Sequence, residues 1–133
     1  MEIIYYDNQY LESLNELLYE SFKVTKTGNK ASSDIELIAV IDNKVVGYLV
    51  LNKLVDPIKN LTYFYVNYVC THPEFRNQHI ATSMFERVFS ICRKEHISYL
   101  ELTSNPSRVA AHHLYQKLGF QVRETTVFRK EIL

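Results

Sequence analysis

The sequence has little of three things. Its only cysteines, Cys70 and Cys92, sit inside apolar stretches, without the C-x-x-C spacing of a metal or redox site or the density of a disulfide scaffold. A disulfide-stapled domain is excluded, and a reducing, cytoplasmic compartment is expected. Neither sign of charge prevails: Lys plus Arg and Asp plus Glu number 15 each, so the net charge is zero. Adhesion to nucleic acid through bulk charge is excluded on that balance. No apolar run approaches the roughly 20 residues that span a bilayer. The start, Met1-Glu2-Ile3-Ile4-Tyr5, lacks the basic-then-apolar order of a leader. An untargeted soluble chain with no membrane partner is expected.

Core material is plentiful. With 133 residues, 47% of them hydrophobic, and ten tyrosines beside seven phenylalanines, the chain reads as one ordered domain over residues 1–133. Glu2 to Tyr6 is short and β-prone, and Asp7 after it is a helix N-cap by type. Leu11, Leu14, Leu18 and Phe22 recur at helical spacing, which predicts a helix over about 8–22. Lys23 to Ser33 is polar and aperiodic, the longest candidate loop. Ile35 to Ile41 and Val45 to Leu51 read as strands, with Asp42-Asn43-Lys44 as the turn of a hairpin. Leu61 to Thr71 is β-branched and aromatic almost throughout, as in a central strand covered on both faces.

Ile80, Met84, Val88, Ile91 and Cys92 line one helical face, and Ile97 to Thr103 is the next strand. Asn105-Pro106 reads as an N-cap with proline at the first helical position, and Ala111, Leu114 and Leu118 mark a buried face up to Gly119. Phe120 to Val122 and Thr125 to Leu133 read as a last hairpin. The order is β-α-β-β-β-α-β-α-β-β without internal repeats, which predicts an α/β (α+β) domain with a mixed sheet flanked by helices. The C-terminal hairpin and the aromatic strand Tyr63-Phe64-Tyr65 are candidate edges for a homodimer.

One junction stands out chemically. The stretch Val69-Cys70-Thr71-His72-Pro73-Glu74-Phe75-Arg76-Asn77-Gln78-His79-Ile80-Ala81-Thr82 takes a strand through a polar turn into a helix, where free backbone N–H groups and the positive end of a helix dipole converge. Phosphate suits such a place, and Arg76 adds a cation. An ordinary strand-to-helix connection has the same outline, so geometry leaves both readings open. The five histidines, His72, His79, His96, His112 and His113, show no ligand spacing with a Cys or carboxylate partner, and no metal is expected.

The pattern Val69-x-Thr71-x-Pro73-x-x-Arg76-x-x-His79-x-Ala81 resembles the acetyl-CoA signature of the GNAT N-acetyltransferase superfamily, an Arg/Gln-x-x-Gly-x-Gly/Ala loop after a central strand. Downstream, Ala111 and Leu114-Tyr115-Gln116-Lys117-Leu118-Gly119-Phe120 are similar to the family's A-x-x-L-Y-x-K-x-G-F motif. Both motifs, in the family's order, extend the resemblance over about residues 1–133. The stretch Glu101-Leu102-Thr103-Ser104-Asn105-Pro106-Ser107-Arg108, followed by Ala111-His112 and Tyr115, resembles a subgroup that includes aminoalkylphosphonate N-acetyltransferases and other small-molecule amine acetylases.

The resemblance implies acetyl-CoA as cosubstrate and an N-acetyltransferase acting on the primary amine of a small molecule by direct attack on the thioester. It implies that the backbone of Val69, Cys70 and Thr71 binds the pantetheine arm and polarises the acetyl carbonyl. Arg76, Asn77, Gln78, His79, Ile80, Ala81 and Thr82 would cradle the pyrophosphate. Asn105 and Arg108 fall on cofactor-side positions, Arg108 either holding a phosphate or solvating its helix. Tyr115 matches the general acid: a phenol can protonate the leaving thiolate. Glu101 is the base candidate on the flanking strand, with His72 and His112 near the same cleft. The departure is at the loop's glycines, replaced by His79 and Ala81; the imidazole either contacts ligand or faces solvent. A sensor or interaction domain that binds acyl-CoA without turnover is the alternative. Protein or peptide acetylation and an aminoacyl-tRNA-acetylating toxin rank below it, the last against the absence of net positive charge.

Overall fold

The computed structural model describes residues 1–76 and 79–133. Five strands and three helices follow in the order β1 (Glu2–Tyr5), α1 (Leu11–Phe22), β2 (Ile35–Ile41), β3 (Lys44–Asp56), β4 (Leu61–Thr71), α2 (Ile80–Glu95), β5 (Leu100–Glu101) and α3 (Val109–Lys117). The fold is α/β. Two compact units divide the chain, Met1–Thr103 and Ser104–Leu133.

The first unit holds the whole sheet, ordered β1-β2-β3-β4-β5. Neighbours pair antiparallel except β4 and β5, which are parallel. Asp42 and Asn43, with φ of 48° and 63°, make the two-residue turn whose twist suits a tight hairpin. Beyond that hairpin β3 runs on to Asp56, five residues past the expected end at Leu51. It stops where the Asp56 carboxylate accepts bonds from the backbone N–H groups of Ile58 and Lys59.

The sheet is covered on both faces. Leu14, Leu17 and Leu18 of α1 pack with Ile38, Val40, Val45, Tyr48 and Cys70 on one side. On the other, α2 lies so close that a Cβ on Gly47 would meet Met84 Sδ at 2.7 Å and Ile80 Cγ2 at 3.0 Å. Glycine at 47 is therefore a packing requirement. Asp7 caps a 3₁₀ turn, Asn8–Tyr10, that leads into α1, and its side chain accepts from Gln9 N.

Four expectations are corrected. The strand expected over Ile97–Thr103 shortens to Leu100–Glu101: ahead of it Ser98 N donates to Thr62 O at 2.8 Å and Phe64 N to Tyr99 O at 3.2 Å, and the ladder with β4 holds only the pairs of Phe64 and Tyr65. The helix expected from Asn105-Pro106 begins at Val109: the Asn105 side chain accepts from Ser107 N at 2.9 Å and its carbonyl from Arg108 N at 3.0 Å. That local turn competes with the helix for the same groups. The last two strands are not formed among the described residues. Val122 is 77% exposed and Phe128 92%, so no apolar face is buried there, and a hairpin without one is marginal in water. Neither candidate dimer edge offers an edge, since Tyr63–Tyr65 lies inside the sheet between β3 and β5.

Candidate active site

β4 departs from a regular strand at one point. Tyr48 pairs with Cys70 but Val50 pairs with Asn67, so β4 carries one extra residue between them. Tyr68 absorbs it with φ of 53°, the bulge geometry that redirects a strand. Its N–H is bonded back to Asn67 Oδ1 at 3.2 Å, and its ring meets Phe22, at the end of α1, edge-on at 5.3 Å.

The same strand parts from β5. Their ladder holds Phe64↔Leu100 and Tyr65↔Glu101, and no described strand lies beside β4 from Val66 to Thr71 on that side. Beside Val69 and Thr71, β4 is therefore paired with β3 but with no other described strand. The last residue of the parallel partner is Glu101, an exposed carboxylate; two residues on, Thr103 Oγ1 is 2.7 Å from the Tyr65 hydroxyl.

From Thr71 the chain turns through a 3₁₀ segment, Pro73–Phe75, pinned by His72 N to Val46 O at 2.8 Å. Nδ1 of His72 accepts from Glu74 N at 3.1 Å. Arg76 is exposed and extended. Asn77 and Gln78, expected pyrophosphate contacts, lie outside the described residues. His79 then starts α2 in the left-handed region, with φ of 58° and an exposed side chain.

Among the described residues the N-cap His79 makes no side-chain capping bond to α2, and no acidic residue occupies its first turn. The N–H groups of Ile80, Ala81 and Thr82 belong to the set that a helix leaves without internal partners. Together with the dipole they present a positive surface. Ile80 is buried as an anchor, while Ala81 and Thr82 are half-buried.

The second unit carries the remaining candidates. Asn105 closes the turn before α3, Arg108 occupies the N-cap position without a capping bond, and Tyr115 is the buried residue of α3, 7% exposed. Burial pushes the Tyr115 phenol above its ordinary pKa, opposed by the nearby Arg108 guanidinium. Its ring packs edge-on against Phe120 at 5.8 Å. The expected burial pattern, centred on Leu114 with Tyr115 to its side, is thus shifted by one residue. Nε2 of His112 is buried with no hydrogen-bond partner among the described residues.

The first unit therefore gathers Val69, Cys70, Thr71, Arg76, His79, Ile80, Ala81, Thr82 and Glu101, and the second Asn105, Arg108 and Tyr115. Sequence reasoning missed the bulge at Tyr68, whose one signal is polar Asn67 inside an apolar run. It also missed Glu36, a lone carboxylate within Ile35-Glu36-Leu37-Ile38-Ala39-Val40-Ile41. Among the described residues no group of three His, Cys, Asp or Glu is arranged to hold a metal, and no helix is long and apolar enough to cross a membrane.

A family model, the acetyltransferase (GNAT) family, matches residues 4–120. The chain belongs to this family. Solved structures share the fold at low identity. A ribosomal-protein-alanine N-acetyltransferase from Brucella melitensis biovar Abortus 2308 superposes with a TM-score of 0.82 at 17% identity, covering 98% of each chain. A transcriptional regulator from Bacillus halodurans C-125 gives 0.86 at 16%, covering 98% of this chain and 99% of that one. An aminoglycoside acetyltransferase from an uncultured soil metagenomic sample gives 0.81 at 14%, covering 99% and 95%. No curated protein matches the sequence. GNAT acetyltransferases generally use acetyl-CoA. The start of α2, where His79 makes no side-chain capping bond, and the stretch of β4 beyond its ladder with β5 carry backbone groups of the type that a pyrophosphate and an amide-bearing pantetheine arm require.

Proposed function

We propose that the protein is an acetyl-CoA-dependent N-acetyltransferase that acetylates a primary amine of a small molecule, with residues 1–133 as a single N-acetyltransferase domain. The observation that carries the reading is the bulged stretch of β4, beyond its ladder with β5, running into an α2 whose N-cap residue His79 makes no side-chain capping bond. In this reading backbone groups of Val69, Cys70 and Thr71 bind the pantetheine arm. The N–H groups at the start of α2, with Arg76, Asn77, Gln78 and His79, take the pyrophosphate.

The neutral amine attacks the thioester carbonyl carbon. Charge gathers on the carbonyl oxygen, where a fixed backbone N–H lowers the barrier without reorganising. The carbon–sulfur bond then breaks, Tyr115 protonates the departing thiolate, and Glu101 or a water chain ending there takes the proton released by the amine. A phenol whose pKa is raised by burial stays protonated at neutral pH, the state a general acid needs. Asn105 and Arg108 serve the cofactor side.

The test is calorimetric titration with acetyl-CoA beside dephospho-CoA and ATP, followed by CoA release with a panel of amines. Saturable binding that prefers acetyl-CoA, with turnover of a small amine, is the expected result. Binding without turnover on any amine would favour an acyl-CoA sensor, and turnover confined to peptides would replace the small-molecule substrate.

A further inference from the structure

A cleft within the first unit has no residue of β4 in its lining. It lies between the end of β1, the start of β2 and the loop 23–34, with a volume of about 330 Å³, and is lined by Tyr5, Tyr6, Lys26, Lys30, Asp34 and Glu36 among others. Glu36 is its floor. It is the one charged side chain buried among the described residues, 6% exposed. Its Oε2 accepts a 2.6 Å bond from the Tyr48 hydroxyl, which leaves Oε1 facing the cleft side, 3.3 Å from Lys26 Nζ.

Lys26 is bound there as an ammonium ligand would be. Its Nζ donates to the Gly28 carbonyl at 2.7 Å and lies 5.5 Å from the centre of the Tyr6 ring, besides its contact with Glu36. A carbonyl, a carboxylate and an aromatic face surround the cation on three sides, a set that suits a primary ammonium. Lys26 itself sits on a loop without regular structure, so its side chain can leave without breaking the sheet. The Tyr6 hydroxyl at the same place is buried without a hydrogen-bond partner among the described residues.

We propose that this cleft is an ammonium subsite for the acceptor, occupied by Lys26 in the free protein and by a second, non-reacting amino group of a linear diamine or triamine during the reaction. The inference rests on the amine-acetyltransferase reading and deepens it. A carboxylate stabilises the charged form of an amine beside it, and a charged nitrogen has no lone pair for attack. The group held at Glu36 is therefore not the nucleophile. Glu36 lies two strands from β4, roughly 10 Å at ordinary strand spacing, within reach of an extended diamine or triamine. Tyr48, which holds Glu36, pairs directly with Cys70 at the bulged segment.

Calorimetric titration without CoA tests the subsite apart from the chemistry. A linear diamine, a linear triamine and a monoamine of matched length are titrated into wild type, Lys26→Met, and Lys26→Met combined with Glu36→Gln. Removing the internal competitor is expected to tighten triamine binding about tenfold, and the added Glu36→Gln to weaken it by at least about tenfold. The monoamine gains nothing. Equal binding by wild type and Lys26→Met, or binding that survives Glu36→Gln, overturns the proposal. If Glu36→Gln does not fold by circular dichroism, the comparison of wild type with Lys26→Met decides alone. CoA release separates the two readings: turnover of monoamine and triamine with equal KM removes the subsite and keeps the activity, whereas triamine binding with no turnover of any amine keeps the subsite and removes the activity.

Discussion

Tyr48 of β3 donates a 2.6 Å hydrogen bond to Glu36 of β2, both side chains over nine-tenths buried. A carboxylate is held in the sheet face under α1 because a phenol and an ammonium supply the bonds that water would otherwise make. The pairing also pushes the Tyr48 phenol far above its ordinary pKa, through burial first and then through Glu36.

Tyr48→Phe removes that donor and leaves one carboxylate oxygen buried without it. A loss of about 1–3 kcal/mol in unfolding free energy is expected, read as a lower urea midpoint with unchanged slope. An unchanged midpoint would mean that water reaches Glu36 from the cleft.

His79→Gly relieves a left-handed backbone at the start of α2. The variant is expected to gain about 1 kcal/mol of stability, since non-glycine residues are strained there by about that amount. Acetyl-CoA binding is expected to tighten as the side chain is cleared from the loop. Weaker binding would show that the imidazole contacts the cofactor.

Tyr115→Phe keeps the ring that packs on Phe120 and deletes the proposed acid. The expected outcome is a fall in kcat of about 10²-fold or more, with the acetyl-CoA dissociation constant and the melting temperature little changed. Full turnover would refute the assignment.

Stability should decline at alkaline pH. Burial pushes the Cys92 thiol from 9.0 to about 11 and also raises the phenols of Tyr6, Tyr48 and Tyr115. In the unfolded chain these groups release protons at their ordinary values, while the folded protein still holds them. Below those values they leave stability unaffected by pH; above, the unfolded state binds fewer protons and each further rise favours it. Denaturation midpoints measured under reductant from neutral pH upward should be flat and then fall, and Cys92→Ala should reduce the slope between 9.0 and about 11.

Much of this was legible in the residues. β4 begins and ends at Leu61 and Thr71 as expected, and α2 starts at Ile80, because a β-branched aromatic run and a helical stripe are strong local signals. Arg76 and the start of α2 could be singled out as candidates because a motif resemblance needs only spacing. Glu36 was not found, since a carboxylate in a strand is solvated more often than buried and nothing local says which face it takes.

By itself the sequence determined the order of the elements as far as α3, the hairpin at Asp42-Asn43, and the two motifs that mark the family. Only the tertiary structure decided the bulge at Tyr68, the early end of β5 and the cage around Lys26. The physical reason is range. Turn chemistry and periodicity act over a few residues, whereas a bulge is defined by the strand opposite, and an ammonium cage by Tyr6, Lys26, Glu36 and Tyr48, which meet only once β1, β2 and β3 have paired.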